Sequence, residues 1–171
     1  MTELIPLSAI DAAAVEALLD EAFGADRHGR TAYAVRAGVE SLAALSFAAV
    51  AEGALVGTLQ SWPVALAFEQ ANRRSLVMVG PVAVSPDAQG KGIGQMLTRA
   101  CCRALDEAGL SAVMIGDPGF YQRFFGFVSG PASRWTLPGP VEPERILLRA
   151  GEAVRWPAHG ALGPDVLRSR A

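Results

Sequence analysis

The sequence predicts an α+β fold (α/β mixed), with helices flanking a mixed sheet, on three observations. Two long apolar runs meet at a turn signal, a third leads through a glycine-rich turn into a strongly amphipathic helix, and a further strand and helix follow at once. The chain has 171 residues, 51% apolar and 19% charged. A single domain over 1–171 is expected, since a chain of this size buries roughly 70% of its unfolded surface without a metal or disulfide staple.

Asp11 to Phe23 places Ala14, Val15, Leu18, Leu19 and Ala22 on one helical stripe, with Asp11 as cap. Gly24 to Arg30, with Asp26, Arg27 and His28, reads as an exposed polar break, and Thr31 to Ala37 as the start of a short helix. Ser46 to Ala51 and Ala54 to Ala67 are strands joined by Glu52-Gly53, a hairpin signal. After a polar turn at Glu69 to Arg74, Leu76 to Val84 is an apolar strand interrupted by Gly80-Pro81, where proline removes a ladder donor and a bulge or splay is expected. Gly92 to Ala108 repeats apolar residues at helical spacing, and Gly109 stops it. Leu110 to Ile115 reads as a buried strand, and Asp117 caps a helix opened by Pro118. Short strands are expected at Phe127 to Val128, Arg134 to Leu137 and Arg145 to Arg149. The stretch from Gly151, punctuated by glycine and proline, carries no clear pattern.

The formal charge of −2, from 15 cations and 17 anions, gives no field to attract a nucleic-acid backbone, so no nucleic-acid partner is expected. Any anionic ligand must be held locally. The longest uncharged stretch, Gly53 to Phe68, contains Gln60, Ser61 and Pro63 and is too short to span a bilayer, so no membrane partner is expected. Met1 to Ala9 lacks the pattern of a secretory signal. The adjacent Cys101 and Cys102 fit neither a metal motif nor a disulfide framework, so a cytoplasmic setting is expected and no metal site.

The chemistry concentrates at Val82-Ala83-Val84-Ser85-Pro86-Asp87-Ala88-Gln89-Gly90-Lys91-Gly92-Ile93-Gly94. Three alternate glycines remove side chains where a helix begins, and its free N–H groups and dipole can hold phosphate oxygens without net positive charge. Lys91 either adds a point charge there or points to solvent. A P-loop would need Ser or Thr where Gly92 stands, and the third glycine of a dinucleotide fingerprint would fall at Gln95.

Gln89-Gly90-Lys91-Gly92-Ile93-Gly94 resembles the (Arg/Gln)-x-x-Gly-x-(Gly/Ala) signature of the GNAT N-acetyltransferase superfamily. Gly116-Asp117-Pro118 followed by Phe120-Tyr121-Gln122-Arg123-Phe124-Phe125-Gly126-Phe127 resembles the fourth-helix region of a bacterial subgroup. The resemblance implies a mostly antiparallel sheet with a splayed fourth strand, and acetyl-CoA as cosubstrate. It implies that the backbone of Val82, Ala83 and Val84 pairs with the pantetheine arm. The amides of Gln89, Gly90, Lys91, Gly92, Ile93, Gly94 and Gln95 would hold the pyrophosphate.

It further implies that Tyr121 protonates the departing thiolate, a role open to a phenol that keeps its proton at neutral pH. The family's usual Tyr-x-x-x-Gly-Phe spacing is one residue longer here, which is about 100° of helix. Either the extra residue is absorbed after Tyr121, the placement favoured by the Asp117-Pro118 start, or Gln122 takes the tyrosine's position. Asp117 either touches the cofactor or acceptor amine or only caps its helix. Phe120 and Phe124 line the thiol region, pack on each other, or do both.

A general base is not assigned: Leu76 to Val84 has no carboxylate or histidine, leaving His28, Asp26, Glu69 and Asp117 by elimination. The expected activity is direct acetyl transfer to an amine-bearing small molecule or peptide, in a monomer or homodimer. The alternative is a non-catalytic acyl-CoA sensor or interaction module. The acceptor pocket is expected from Gly24 to Arg30, Glu69 to Arg74 and the C-terminal strands.

Overall fold

A computed structural model describes residues 1–151 and 155–169. Its strands are β1 (Thr2–Pro6), β2 (Phe47–Ala51), β3 (Ala54–Phe68), β4 (Asn72–Val84), β5 (Ala112–Ile115), β6 (Val128–Ser129), β7 (Trp135–Thr136), β8 (Ile146–Arg149) and β9 (Gly160–Pro164). The helices are α1 (Ala12–Phe23), α2 (Thr31–Val35), α3 (Ile93–Ala108), α4 (Pro118–Phe125) and α5 (Val166–Ser169). The sheet runs β1-β2-β3-β4-β5-β8-β6, with β9 pairing β3 and β7. Its pairs are antiparallel except β4 with β5 and β7 with β9.

The β2–β3 turn forms at Glu52-Gly53 because both residues take positive φ, 51° and 78°, as a tight hairpin requires. On β3, one edge is shared: β2 pairs up to Leu59, and β9 pairs Val64 to Ala67. Between β3 and β4 the register slips. Leu59 faces Val82 while Ser61 faces Val79, so Gly80 and Pro81 together oppose Gln60. This is the irregularity expected at Gly80-Pro81.

Beyond that bulge β4 leaves its parallel neighbour. The two strands pair only at Val77 with Ala112 and Met78 with Val113, then fork. Helix α3 packs on one face of the sheet, through Leu97, Cys101 and Leu105 against Leu59, Val77, Val79 and Met114. On the other face Val35 of α2 packs with Leu66, Met78 and Val113, and Val15 and Leu19 of α1 with Ala48 and Ala83.

Two strands were not expected from sequence: β1, and β9 within the unpatterned C-terminal stretch. The break from Gly24 to Arg30 is not uniformly exposed, because Arg27 is 2% exposed. Buried there, its guanidinium ion-pairs with Glu16 and with Asp20 at 2.9 Å and donates to the Tyr33 hydroxyl at 2.6 Å.

Candidate active site at the strand fork

The fork opens a cavity of about 800 Å³ that draws its walls from both faces of the sheet. Val79, Val82, Met114 and Tyr121 come from the α3 side, and Arg27, Tyr33, Arg36 and Met78 from the α1–α2 side. Among the described residues, β4 has no strand partner toward β5 beyond Met78. The edge formed by Val79 to Val84 is therefore unpaired by any strand and open to an extended ligand, as exposed strand edges are, with the Gly80 and Val84 carbonyls already accepting from side chains.

Val82 leads from this cavity to the start of α3. Ala83 turns its side chain into the α1 core, while Val82 and Val84 flank α3: a Cβ on Gly94 would lie 4.0 and 3.8 Å from their methyl groups. Gly90 and Gly92 have φ of 80° and 77°, with open space where a side chain would project. Gly92 is the N-cap and offers no capping side chain, and Met96 N–H is the amide that reaches its carbonyl, at 3.0 Å. The amides of Ile93, Gly94 and Gln95 thus precede the first α-helical donor and have no acceptor within the helix, with the helix dipole behind them. The Ile93 side chain is in the core, so only its backbone faces this site. Gln89 donates to the Val84 carbonyl at 3.4 Å, and Lys91 is exposed.

Tyr121 lies across the cavity from β4, its ring against Gly116, where a Cβ would come within 2.9 Å. Phe120 packs edge-on to it at 4.9 Å. Burial, and secondarily the Asp117 carboxylate, push the phenol above its ordinary pKa, so its proton stays on at neutral pH. Asp117 caps α4 by accepting from Gly119 N–H at 2.9 Å and is exposed at the cavity rim.

The end of α4 turns back more widely than the end of α3. At the end of α3, Leu110 N–H returns five residues to Leu105; at the end of α4, Phe127 N–H returns six, to Tyr121, as does Gly126 N–H across five. The first turn keeps ordinary spacing, with Tyr121 N–H on the Asp117 carbonyl at 3.0 Å. Tyr121 consequently faces the cavity, whereas the Gln122 side chain accepts from Ser129 N–H. Phe124 is 50% exposed, stacks on Phe120 at 5.6 Å and lies outside the cavity wall.

The cavity's other end holds residues that were not singled out from sequence. Arg36 is sandwiched between Tyr33 and Trp62, 4.0 Å from each ring, and with Trp62 Nε1 it donates to the Gly80 carbonyl. No local pattern marks Arg36, because its neighbours come from α2, β3 and β4. Among the four carboxylate and histidine candidates, Asp117 borders the cavity; His28 lines a smaller adjoining pocket. Glu69 sits at the β3–β4 turn and bonds Asn72. That turn does not form the acceptor pocket as expected: Arg73 and Arg74 instead hold Asp165 and the Arg155 carbonyl, and 140–145 closes the cavity. Among the described residues there is no group of acidic, histidine and cysteine side chains fit to hold a metal, and no helix is long and apolar enough to cross a membrane.

The fold is that of a GNAT family acetyltransferase from Brucella melitensis in complex with acetyl-CoA, at a TM-score of 0.67 and 22% identity over 96% of each chain. It is shared with a GNAT family N-acetyltransferase from Escherichia coli in complex with CoA, at 0.67 and 23% identity over 96% of this chain and 89% of that one. None of the curated proteins matches the sequence closely enough to count as a relative. The family model for the Acetyltransferase (GNAT) family matches residues 12–127, from the start of α1 through β4, the glycine turn and α4, and the chain belongs to that family.

Proposed function

We propose that the chain is an acetyl-CoA-dependent N-acetyltransferase that passes the acetyl group directly to an amine. The observation that carries this is one line of features: the β4 edge and the protonated Tyr121 border the same fork, and β4 runs on from it to the side-chain-free start of α3. Acetyl-CoA supplies a thioester from which an amine can take the acetyl group. The amides of Gly90 to Gln95 would hold the pyrophosphate by charge-assisted hydrogen bonds, and glycines at 90 and 92 leave room for it. The backbone of Val82 to Val84 would pair with the pantetheine arm and direct it into the fork.

Tyr121 holds a proton at Oη on the cavity wall and would deliver it to the leaving sulfur. A covalent route through cysteine has no support. Cys101 is buried 3.6 Å from the Ser61 hydroxyl with its thiol pushed up to about 11 by burial, and burial raises Cys102 as well. Asp117 and Glu142 are the carboxylates on the cavity wall, and a water between either and the amine could carry its proton away.

Thermal unfolding with acetyl-CoA, joined to a thiol-release assay over a panel of amines, tests the reading. Ligand at about 100 times its Kd adds about 2.7 kcal/mol of stability, and thiol release is expected with at least one amine. No shift with acetyl-CoA or CoA would overturn the proposal.

A further inference from the structure

Two arginines are buried beside the fork, and they are treated differently. Arg27, 2% exposed, ion-pairs with two carboxylates, Glu16 and Asp20. Arg36, 7% exposed, has no carboxylate within 4 Å among the described residues; its hydrogen-bond acceptor is the Gly80 carbonyl, at 3.1 Å. Its plane is clamped by Tyr33 and Trp62, whose own polar atoms are already engaged by Arg27 and by Gly80. The fold thus fixes a guanidinium in the cavity wall, at the point where β4 bulges, with no carboxylate hydrogen-bonded to it; Glu16, held by Arg27, acts on it only at longer range. Burial lowers its pKa only to about 10, so the charge remains at neutral pH.

We infer that the acceptor amine also carries an acidic group, a carboxylate or a phosphate, and that Arg36 receives it. A clamped planar fork matches the two oxygens of such a group. Arg30 and Arg145 also line the cavity without an ion-pair partner among the described residues, alongside the carboxylates of Asp117 and Glu142. Because Arg36 touches Gly80, the acid would lie close to the fork, and the amine and acid would be only a few bonds apart on one small molecule. The inference rests on the acetyltransferase reading and narrows its substrate class.

The test compares matched acceptors: α-amino acids with their carboxamides, and phosphoethanolamine with ethanolamine, each read as kcat/KM for thiol release. The acidic member of one pair is expected to be favoured about tenfold or more, as for a charge-assisted pair. In Arg36→Gln that preference is expected to fall to about twofold or less, mainly through KM, with the acetyl-CoA thermal shift unchanged. Arg36→Lys, which keeps the charge but not the planar fork, is expected to fall between, and decides the matter if the Gln variant does not fold. Calorimetric binding of N-acetylglycine and its carboxamide to the CoA-loaded protein gives the same comparison without turnover. Equal binding or turnover of acid and amide, or a preference unaltered in the variants, overturns the inference while leaving the acetyltransferase reading intact. Failure of acetyl-CoA to bind strikes that reading instead.

Discussion

Tyr121 and Cys101 are both weak acids whose pKa rises on burial, yet the fold places them in opposite surroundings. The cysteine sits inside the α3 core, where a thiol is only a packing group; the tyrosine opens on the cavity and keeps its proton at neutral pH. Tyr121→Phe is expected to lower kcat about 100-fold, the usual scale for a general acid, with the acetyl-CoA thermal shift unchanged. Steady-state thiol release checks it, and an unaltered kcat would favour another proton donor. Such residues were legible because Asp117-Pro118 fixes the phase of α4 and the motif is contiguous. Arg27 and Arg36 were not, since their partners lie on other elements. One signal was available: Glu16 and Asp20 are four apart on α1 and so share a face, poised to grip a cation on the following loop.

At the level of elements, what was local was readable. Glu52-Gly53, the α3 stripe and its Gly109 stop all depend on neighbours within a few residues, and β2, β3 and α3 stand within a residue or two of their expected limits, whereas β4 begins at Asn72, inside the expected polar turn and four residues before Leu76. Strand β1 is five residues long and takes its order from β2, more than 40 residues away, so its own sequence carries little of the signal. The route from sheet to site passes through Gly57. A Cβ there would meet Ile93 at 2.9 Å, Leu97 at 3.0 Å and the Ala83 carbonyl at 3.2 Å, pressing the first turn of α3 away from β3. Gly57→Ala is expected to cost about 1–3 kcal/mol, the range for overpacking, and to weaken acetyl-CoA binding by displacing the α3 amides. Urea denaturation and calorimetry would measure the two effects.

Across the whole molecule, the C-terminal segment is fastened by Asp165, 1% exposed, which accepts from Ser75 at 2.6 Å, Arg73 at 2.9 Å and Arg168 N–H at 3.2 Å. Burial alone would raise this carboxyl, but the three donors more than offset it and hold its pKa below the ordinary value. A lowered folded-state pKa contributes stability that is complete above the unfolded value of about 3.9 and disappears as pH falls through the folded one. The stability gap between the wild type and Asp165→Asn is therefore expected to be steady at neutral pH and to close below about pH 4, as denaturation at a series of pH values would show. The same fastening holds β9 along Val64 to Ala67 of β3, where β2 has already ended. Those four residues are Val, Ala, Leu and Ala, an apolar row whose backbone groups would otherwise be a template for another chain. A chain stopped before Gly160 is expected to self-associate edge to edge, visible as growing light scattering. Beyond completing the sheet, β9 thus serves solubility, denying neighbouring molecules Val64 to Ala67 of the stretch of β3 that β2 leaves bare.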